Sequence, residues 1–151
     1  MKEDNWRMTV AAIAEVLGGR KTLKRKVESD TDLRVATRSG LPVGTLPVLA
    51  EKLGVERRRL ARVVGISDRT LSRRLASEAR LSPEESDRTM RLARVMAHAI
   101  DVFGDGKRAA HWMNSPNIVM QGETPLSLLD TDAGAQWVDT ILGRIDYGIF
   151  S

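Results

Sequence analysis

The stretch Leu60-Ala61-Arg62-Val63-Val64-Gly65-Ile66-Ser67-Asp68-Arg69-Thr70-Leu71-Ser72-Arg73-Arg74-Leu75 decides how this chain is read. Before Gly65, the apolar residues Leu60, Val63 and Val64 recur at helical spacing while Arg57, Arg58, Arg59 and Arg62 fall largely on the other side, which predicts a short helix over 55–64. After Ile66, Ser67 is placed to cap a second helix by accepting an exposed backbone N–H. Asp68 suits the positive first turn, and Leu71 with Leu75 supplies a buried i, i+4 pair, so a helix is expected over 68–79. Two short helices joined by Gly-Ile-Ser meet the packing needs of a helix-turn-helix. Ala61 lets the helices cross closely, Gly65 takes the left-handed backbone of the sharp turn, and Ile66 with Leu71 fills the space between them. One departure is Arg74, standing where such motifs commonly bury an aliphatic residue; Leu75 beside it is expected to take that duty.

The outward face of the second helix offers Ser67, Arg69, Thr70, Ser72, Arg73 and Arg74. A guanidinium grips guanine O6 and N7 in bidentate fashion, and Ser or Thr hydroxyls bond phosphates or either base type. Arg57, Arg58 and Arg62 lie on the helix that crosses the DNA backbone in such motifs and are the expected phosphate contacts. A solvated arginine face on an ordinary helical bundle is the alternative; the coincidence of turn, cap and donors argues against it. Because one such unit offers few contacts, operator binding as a symmetric oligomer, a homodimer, is expected.

Working outward, Leu46, Leu49, Ala50 and Leu53 mark an amphipathic helix between Pro42 and Gly54. Ser82-Pro83-Glu84-Glu85 is a strong helix start, with a capping Ser, Pro at the first helical position and a reciprocating Glu; the helix should run to Phe103 on a stripe of Leu92, Met96, Ile100 and Phe103. Further helices are expected over 107–114, 126–129 and 133–144, followed by a tail of Ile145-Asp146-Tyr147-Gly148-Ile149-Phe150-Ser151. The first 40 residues are mixed, with one helix from about Trp6 to Leu17 and then a basic run, Arg20-Lys21-Thr22-Leu23-Lys24-Arg25-Lys26, that reads as a phosphate contact or as a solvated arm. The fold class is all-α. Residues 1–40 form an N-terminal helical and linker region, 41–81 a helix-turn-helix domain, and 82–151 a small C-terminal helical domain with a tail.

Composition agrees with a folded chain of 151 residues, 42% hydrophobic and 29% charged. Its net charge of +4 is unevenly spread. Residues 55–80 carry eight Arg against three carboxylates, a net +5, whereas 101–151 carry three basic residues against seven acidic ones, a net −4. Two surfaces with two kinds of partner are implied, the basic one suited to phosphates. No Cys is present, which excludes disulfides and thiolate chemistry and agrees with a reducing, cytoplasmic location. Neither a membrane span nor an export signal is read in the chain. His98 and His111 stand thirteen residues apart without a metal-ligand pattern, Gly18-Gly19-Arg20-Lys21-Thr22 lacks the spacing of a phosphate loop, and no cofactor or metal is expected. Trp112 and Trp137, at apolar helical positions, read as core.

Three blocks together carry a resemblance: Gly65 to Arg74, Leu81 to Arg88, and a C-terminal run. That run holds Trp112, Asn114, Pro116, Asn117, Gly122, Thr124-Pro125, Leu128-Leu129, Thr131, Gly134, Val138 and Leu142 and ends Arg144-Ile145-Asp146-Tyr147-Gly148-Ile149-Phe150-Ser151. In this order they resemble the Xre/MbcA/ParS antitoxin family over about residues 40–151, with Met120-Gln121 standing where Leu-Gly would be expected. The resemblance implies a protein that binds a RES-domain, NAD-consuming toxin, occludes its active site with the extreme C-terminus, and represses its own operon through operator DNA. The toxin-binding residues it implies are Arg144, Asp146, Tyr147, Gly148, Ile149, Phe150 and Ser151. A stand-alone regulator whose acidic C-terminal domain only dimerises or senses a ligand is the competing reading. An enzyme is third, since no Cys, paired His or nucleotide motif supports one.

Overall fold

Ser82 Oγ accepts the Glu85 N–H at 3.1 Å while Glu85 Oε1 accepts the Ser82 N–H at 2.8 Å, so the expected capping box starts the long helix Pro83–Phe103. In this computed structural model, which describes residues 2–148 and the side chains of 9–148, that helix is the axis of the molecule. In chain order the helices are α1 Lys2–Val16, α2 Gly19–Leu23, α3 Asp30–Ser39, α4 Thr45–Leu53, α5 Arg57–Val64, α6 Asp68–Ser77, α7 Pro83–Phe103, α8 Gly106–Met113 and α9 Asp132–Asp146, with 3₁₀ turns at Ile118–Met120 and Leu126–Asp130. The all-α expectation holds: among the described residues the extended pairing amounts to an isolated bridge between Pro42 and Arg80.

Helix α7 packs against α1, α3, α8 and α9, and a single apolar core runs from Val10 to Leu142. Leu92 and Met96 are fully buried along its stripe, and each such side chain stabilises by about 1.5–3 kcal/mol. Polar groups inside the core are satisfied. The buried Leu41 N–H donates to Ser86 Oγ at 2.8 Å, and Thr45 Oγ1 donates to the Pro42 carbonyl at 2.8 Å. Asn114 Nδ2 donates to both the Leu53 and Ala110 carbonyls, at 2.7 and 2.8 Å, joining the ends of α4 and α8.

Three readings of the sequence need correction. No helix was expected over 30–39, yet α3 forms there on a Ser29–Asp32 capping box; only Leu33 and Ala36 are buried, too few to give a periodic signal. A hydrogen bond from the Glu28 N–H is the chief reason that the Asp32 carboxyl is held below its ordinary range. Trp137 is not core: Ala135, Val138, Ile141 and Leu142 occupy the inner face of α9 and leave the indole 38% exposed. Helix α9 also continues two residues past Arg144, so Ile145 and Asp146 belong to its last turn rather than to a tail, and Ile145 packs against the core. No helix among the described residues is long and apolar enough to cross a membrane, and no cluster of three or more His, Asp or Glu there is placed to hold a metal ion.

Candidate functional site

Between α5 and α6 the turn is built as its sequence requires. Gly65 has φ +93°, its N–H bonds to the Arg62 carbonyl at 3.1 Å, and Ile66 N–H bonds to the Ala61 carbonyl at 2.8 Å. A side chain at Gly65 would strain that backbone and also meet Arg88 Nη1 at 2.8 Å. Arg88 reaches over from α7 and donates to the Val64 carbonyl at 3.0 Å, satisfying an end group that α5 cannot satisfy itself. Ala61 and Leu71 are buried where the two helices cross, and Ile66 is 3% exposed between them.

On α6, Arg69, Ser72 and Arg73 lie on one exposed strip at i, i+3 and i+4. Arg57, Arg59, Arg62, Arg69 and Arg73 are all exposed and form no ion pair among the described residues. Arg58 meets Glu56 at 2.7 Å, an exposed pair that contributes about 0–1 kcal/mol and leaves the guanidinium easily redirected. Ser67 spends part of its capacity inside the motif: its Oγ accepts the Thr70 N–H at 3.1 Å and donates to Thr70 Oγ1 at 2.9 Å. The fold therefore brings Arg57, Arg58, Arg62, Ser67, Arg69, Ser72 and Arg73 to the open surface, with Thr70 half-buried at its edge.

Arg74 departs from the expected outward face. Its side chain is 25% exposed and its Nη1 donates to Glu85 Oε1 on α7. The helical turn of 100° per residue carries Arg74 off the exposed strip and onto Glu85 of α7. Burial works to raise the Glu85 carboxyl, but the Ser82 N–H and then the Arg74 guanidinium outweigh it and hold the group below its ordinary range. Arg74 thus joins the motif to the rest of the molecule.

At the other end of the chain, Arg144 and Asp146 are exposed on the last turn of α9. Tyr147 closes the helix with its N–H on the Gly143 carbonyl at 3.1 Å and its side chain 85% exposed, and Gly148 turns away at φ +74°. Ile149, Phe150 and Ser151 lie outside the described residues. Asp146 lines a hollow with Thr9, Ala12, Ala97 and Ile100, so α9 ends beside the α1–α7 contact.

Exposed Ile118 and Val119 in this half were missed in the sequence. Ile118 is 94% exposed on a loop stiffened by Asn117, whose N–H bonds to the Glu123 carbonyl at 3.0 Å and whose Oδ1 accepts the Val119 N–H at 2.9 Å. An isoleucine between Pro116 and Gly122, where loops ordinarily carry polar residues, was the available signal. Phe103 and Trp112, ring centres 5.6 Å apart, floor a shallow hollow rimmed by Lys107, Arg108 and His111. His98 joins α7 to α9 through Asp139, Nδ1 to Oδ1 at 2.9 Å.

Known proteins resemble the chain over both halves. The family model described as "Antitoxin Xre-like helix-turn-helix domain" matches residues 32–94, and that of the "Antitoxin Xre/MbcA/ParS C-terminal toxin-binding domain" matches residues 98–148. "Antitoxin Xre" of Photorhabdus laumondii is 37% identical over 124 residues, 82% of this chain and 84% of that protein. The protein of the same name from Yersinia enterocolitica is 40% identical over 98 residues, 64% of this chain and 66% of its own length. A "Prs ADP-ribosylating antitoxin" of a Sphingobium species is 26% identical over 123 residues, 76% of this chain and 77% of that protein. With a helix-turn-helix whose cations face outward and a C-terminal toxin-binding domain built on α7 to α9, the chain belongs to the Xre/MbcA/ParS family of antitoxins.

Proposed function

We propose that the α5–α6 surface binds the operator of the chain's own operon and represses it as a homodimer, and that the C-terminal domain neutralises a RES-domain, NAD-consuming toxin in the cytoplasm. In this reading Arg57, Arg58 and Arg62 hold phosphates, while Ser67, Arg69, Thr70, Ser72 and Arg73 line the groove-facing helix. The segment Arg144, Asp146, Tyr147, Gly148, Ile149, Phe150 and Ser151 closes the toxin's active site, and the protein itself performs no catalysis.

The observation that carries this is the separation of two unlike surfaces on one core. The helix-turn-helix presents exposed Arg57, Arg59, Arg62, Arg69 and Arg73, which form no ion pair among the described residues and suit phosphates. Around α8 and α9 the surface is acidic and presents exposed Ile118, Trp137 and Tyr147, the large apolar anchors on which a protein interface concentrates its energy.

Because α9 continues to Asp146, the discriminating truncation removes residues 147–151 and leaves that helix whole. Growth and cellular NAD are followed while the neighbouring toxin gene is co-expressed with full-length or truncated protein. Loss of protection with undiminished binding to the operator region supports occlusion by the tail; full protection by the shortened chain overturns it.

A further inference from the structure

The basic run Arg20 to Lys26 has no part in the helix-turn-helix as the sequence presents it, some forty residues earlier in the chain. The fold brings it back. Lys21, Thr22 and Lys24 line one hollow together with Pro42, Val43 and Gly44 and with Leu75, Glu78 and Ala79 at the C-terminal end of α6. Three constraints hold this arrangement. Leu23, buried to 3% exposure, anchors α2 in the core. Lys24 turns the chain at φ +60°, with its N–H on the Arg20 carbonyl at 2.8 Å. The 41–43 segment is clamped to the end of α6 by Val43 N–H on the Ala79 carbonyl at 3.0 Å and Leu81 N–H on the Leu41 carbonyl at 2.8 Å.

Within the run the charges differ in commitment. Lys26 pairs with Glu28 at 3.3 Å, and half-buried Arg25 acts on the Asp32 carboxyl. Arg20, Lys21 and Lys24 are exposed and form no ion pair among the described residues; Lys21 and Lys24 share the hollow with Glu78, its one carboxylate, and Arg20 precedes them on α2.

We propose that Arg20, Lys21 and Lys24 form a second phosphate-binding surface on the same DNA duplex that α6 engages, flanking the groove in which α6 lies. This rests on the DNA-binding reading of α5–α6 and extends its footprint. A basic arm that hangs free must be ordered when it binds, at a cost of about 0.5–1.5 kcal/mol for each side chain immobilised and more for the backbone. Here α2 is already held against α1 and by buried Leu23, across one hollow from the end of α6, so the backbone part of that cost is met on folding.

The test uses the full chain, the DNA upstream of its own gene, and an unrelated duplex of equal length. Lys21→Gln/Lys24→Gln removes two exposed charges and no core contact; Arg73→Ala is the control on α6. For Lys21→Gln/Lys24→Gln the expected result is a fall in affinity on the order of tenfold per lost contact on both duplexes, with the slope of log affinity against log salt shallower by about 2. Methylphosphonate substitution at phosphates flanking the site should weaken the wild type and leave the double variant unaffected. An unchanged affinity and salt slope in the double variant, while Arg73→Ala still weakens the operator complex, overturns this proposal alone. Failure of the wild type to bind either duplex overturns it together with the reading of α5–α6. Intact DNA binding with lost capture of the toxin would assign the run to a protein partner and overturn it as well.

Discussion

Two arginine populations meet on α6. Arg69 and Arg73 stand on the exposed strip with no ion-pair partner among the described residues, whereas Arg74, next in sequence to Arg73, is tied to Glu85, and Arg88 from the facing helix caps the end of α5. Their chemistry is identical, so their duties are separated by angle: one residue further along a helix is 100° further round. Side chains left without partners are available for a polyanion. Those turned toward α7 hold the motif at a fixed attitude on the body of the protein.

Leu71 lies beneath both populations, and Leu71→Ala should have the largest effect, a loss of about 2–5 kcal/mol of stability, because a fully buried side chain is replaced by a cavity. Thermal or denaturant unfolding measures it; a cost below about 1 kcal/mol would mean that the crossing of α5 and α6 repacks easily.

Neighbouring Arg73 and Arg74 should then come apart in one pair of measurements. Arg74→Ala is expected to cost about 1–3 kcal/mol in unfolding free energy, since the Glu85 carboxylate, whose side chain is only 14% exposed, loses its cation. Arg73→Ala should leave the melting temperature unchanged and weaken operator binding by about 1–3 kcal/mol if it reads a base. Equal effects of the two substitutions on the melting temperature would erase the distinction between strip and seam.

Acid should dissolve the seam before the strip. Glu85 has its carboxyl lowered from the ordinary value of 4.5 when folded, so its contribution is complete above that pH and is lost as pH falls through the lowered value. Glu85→Gln should therefore destabilise at neutral pH and flatten the acid limb of the stability profile. An acid limb as steep as that of the wild type would assign it to other carboxylates.

Trp137→Ala should move stability least, by about 0.5 kcal/mol, because the indole lies outside the core. Toxin capture is the readout that would still change if this face meets the partner. A large drop in melting temperature would show that Trp137 packs more closely than its exposure indicates.

Much of this was legible in the chain because it is local. The turn at Gly65, the caps at Ser67 and Ser82 and the stripe on α7 each follow from residues within about two helical turns of one another, and each formed where expected. Helix α3 escaped because its signal is a cap followed by only two buried positions. Trp137 misled because amphipathic spacing places a residue near an apolar face but does not say how far that face extends.

By itself the sequence determined the all-α class, the helix-turn-helix, the basic middle and acidic end, and the family, since periodicity, capping and motif order are properties of short segments. Which arginines stay available, where α9 ends, and the seating of Lys21 and Lys24 beside the end of α6 were decided only by tertiary structure. Those facts depend on residues 11 to about 55 positions apart, such as Arg74 paired with Glu85, Leu41 bonded to Ser86 and Lys21 lining one hollow with Leu75, and no short window of sequence contains both members.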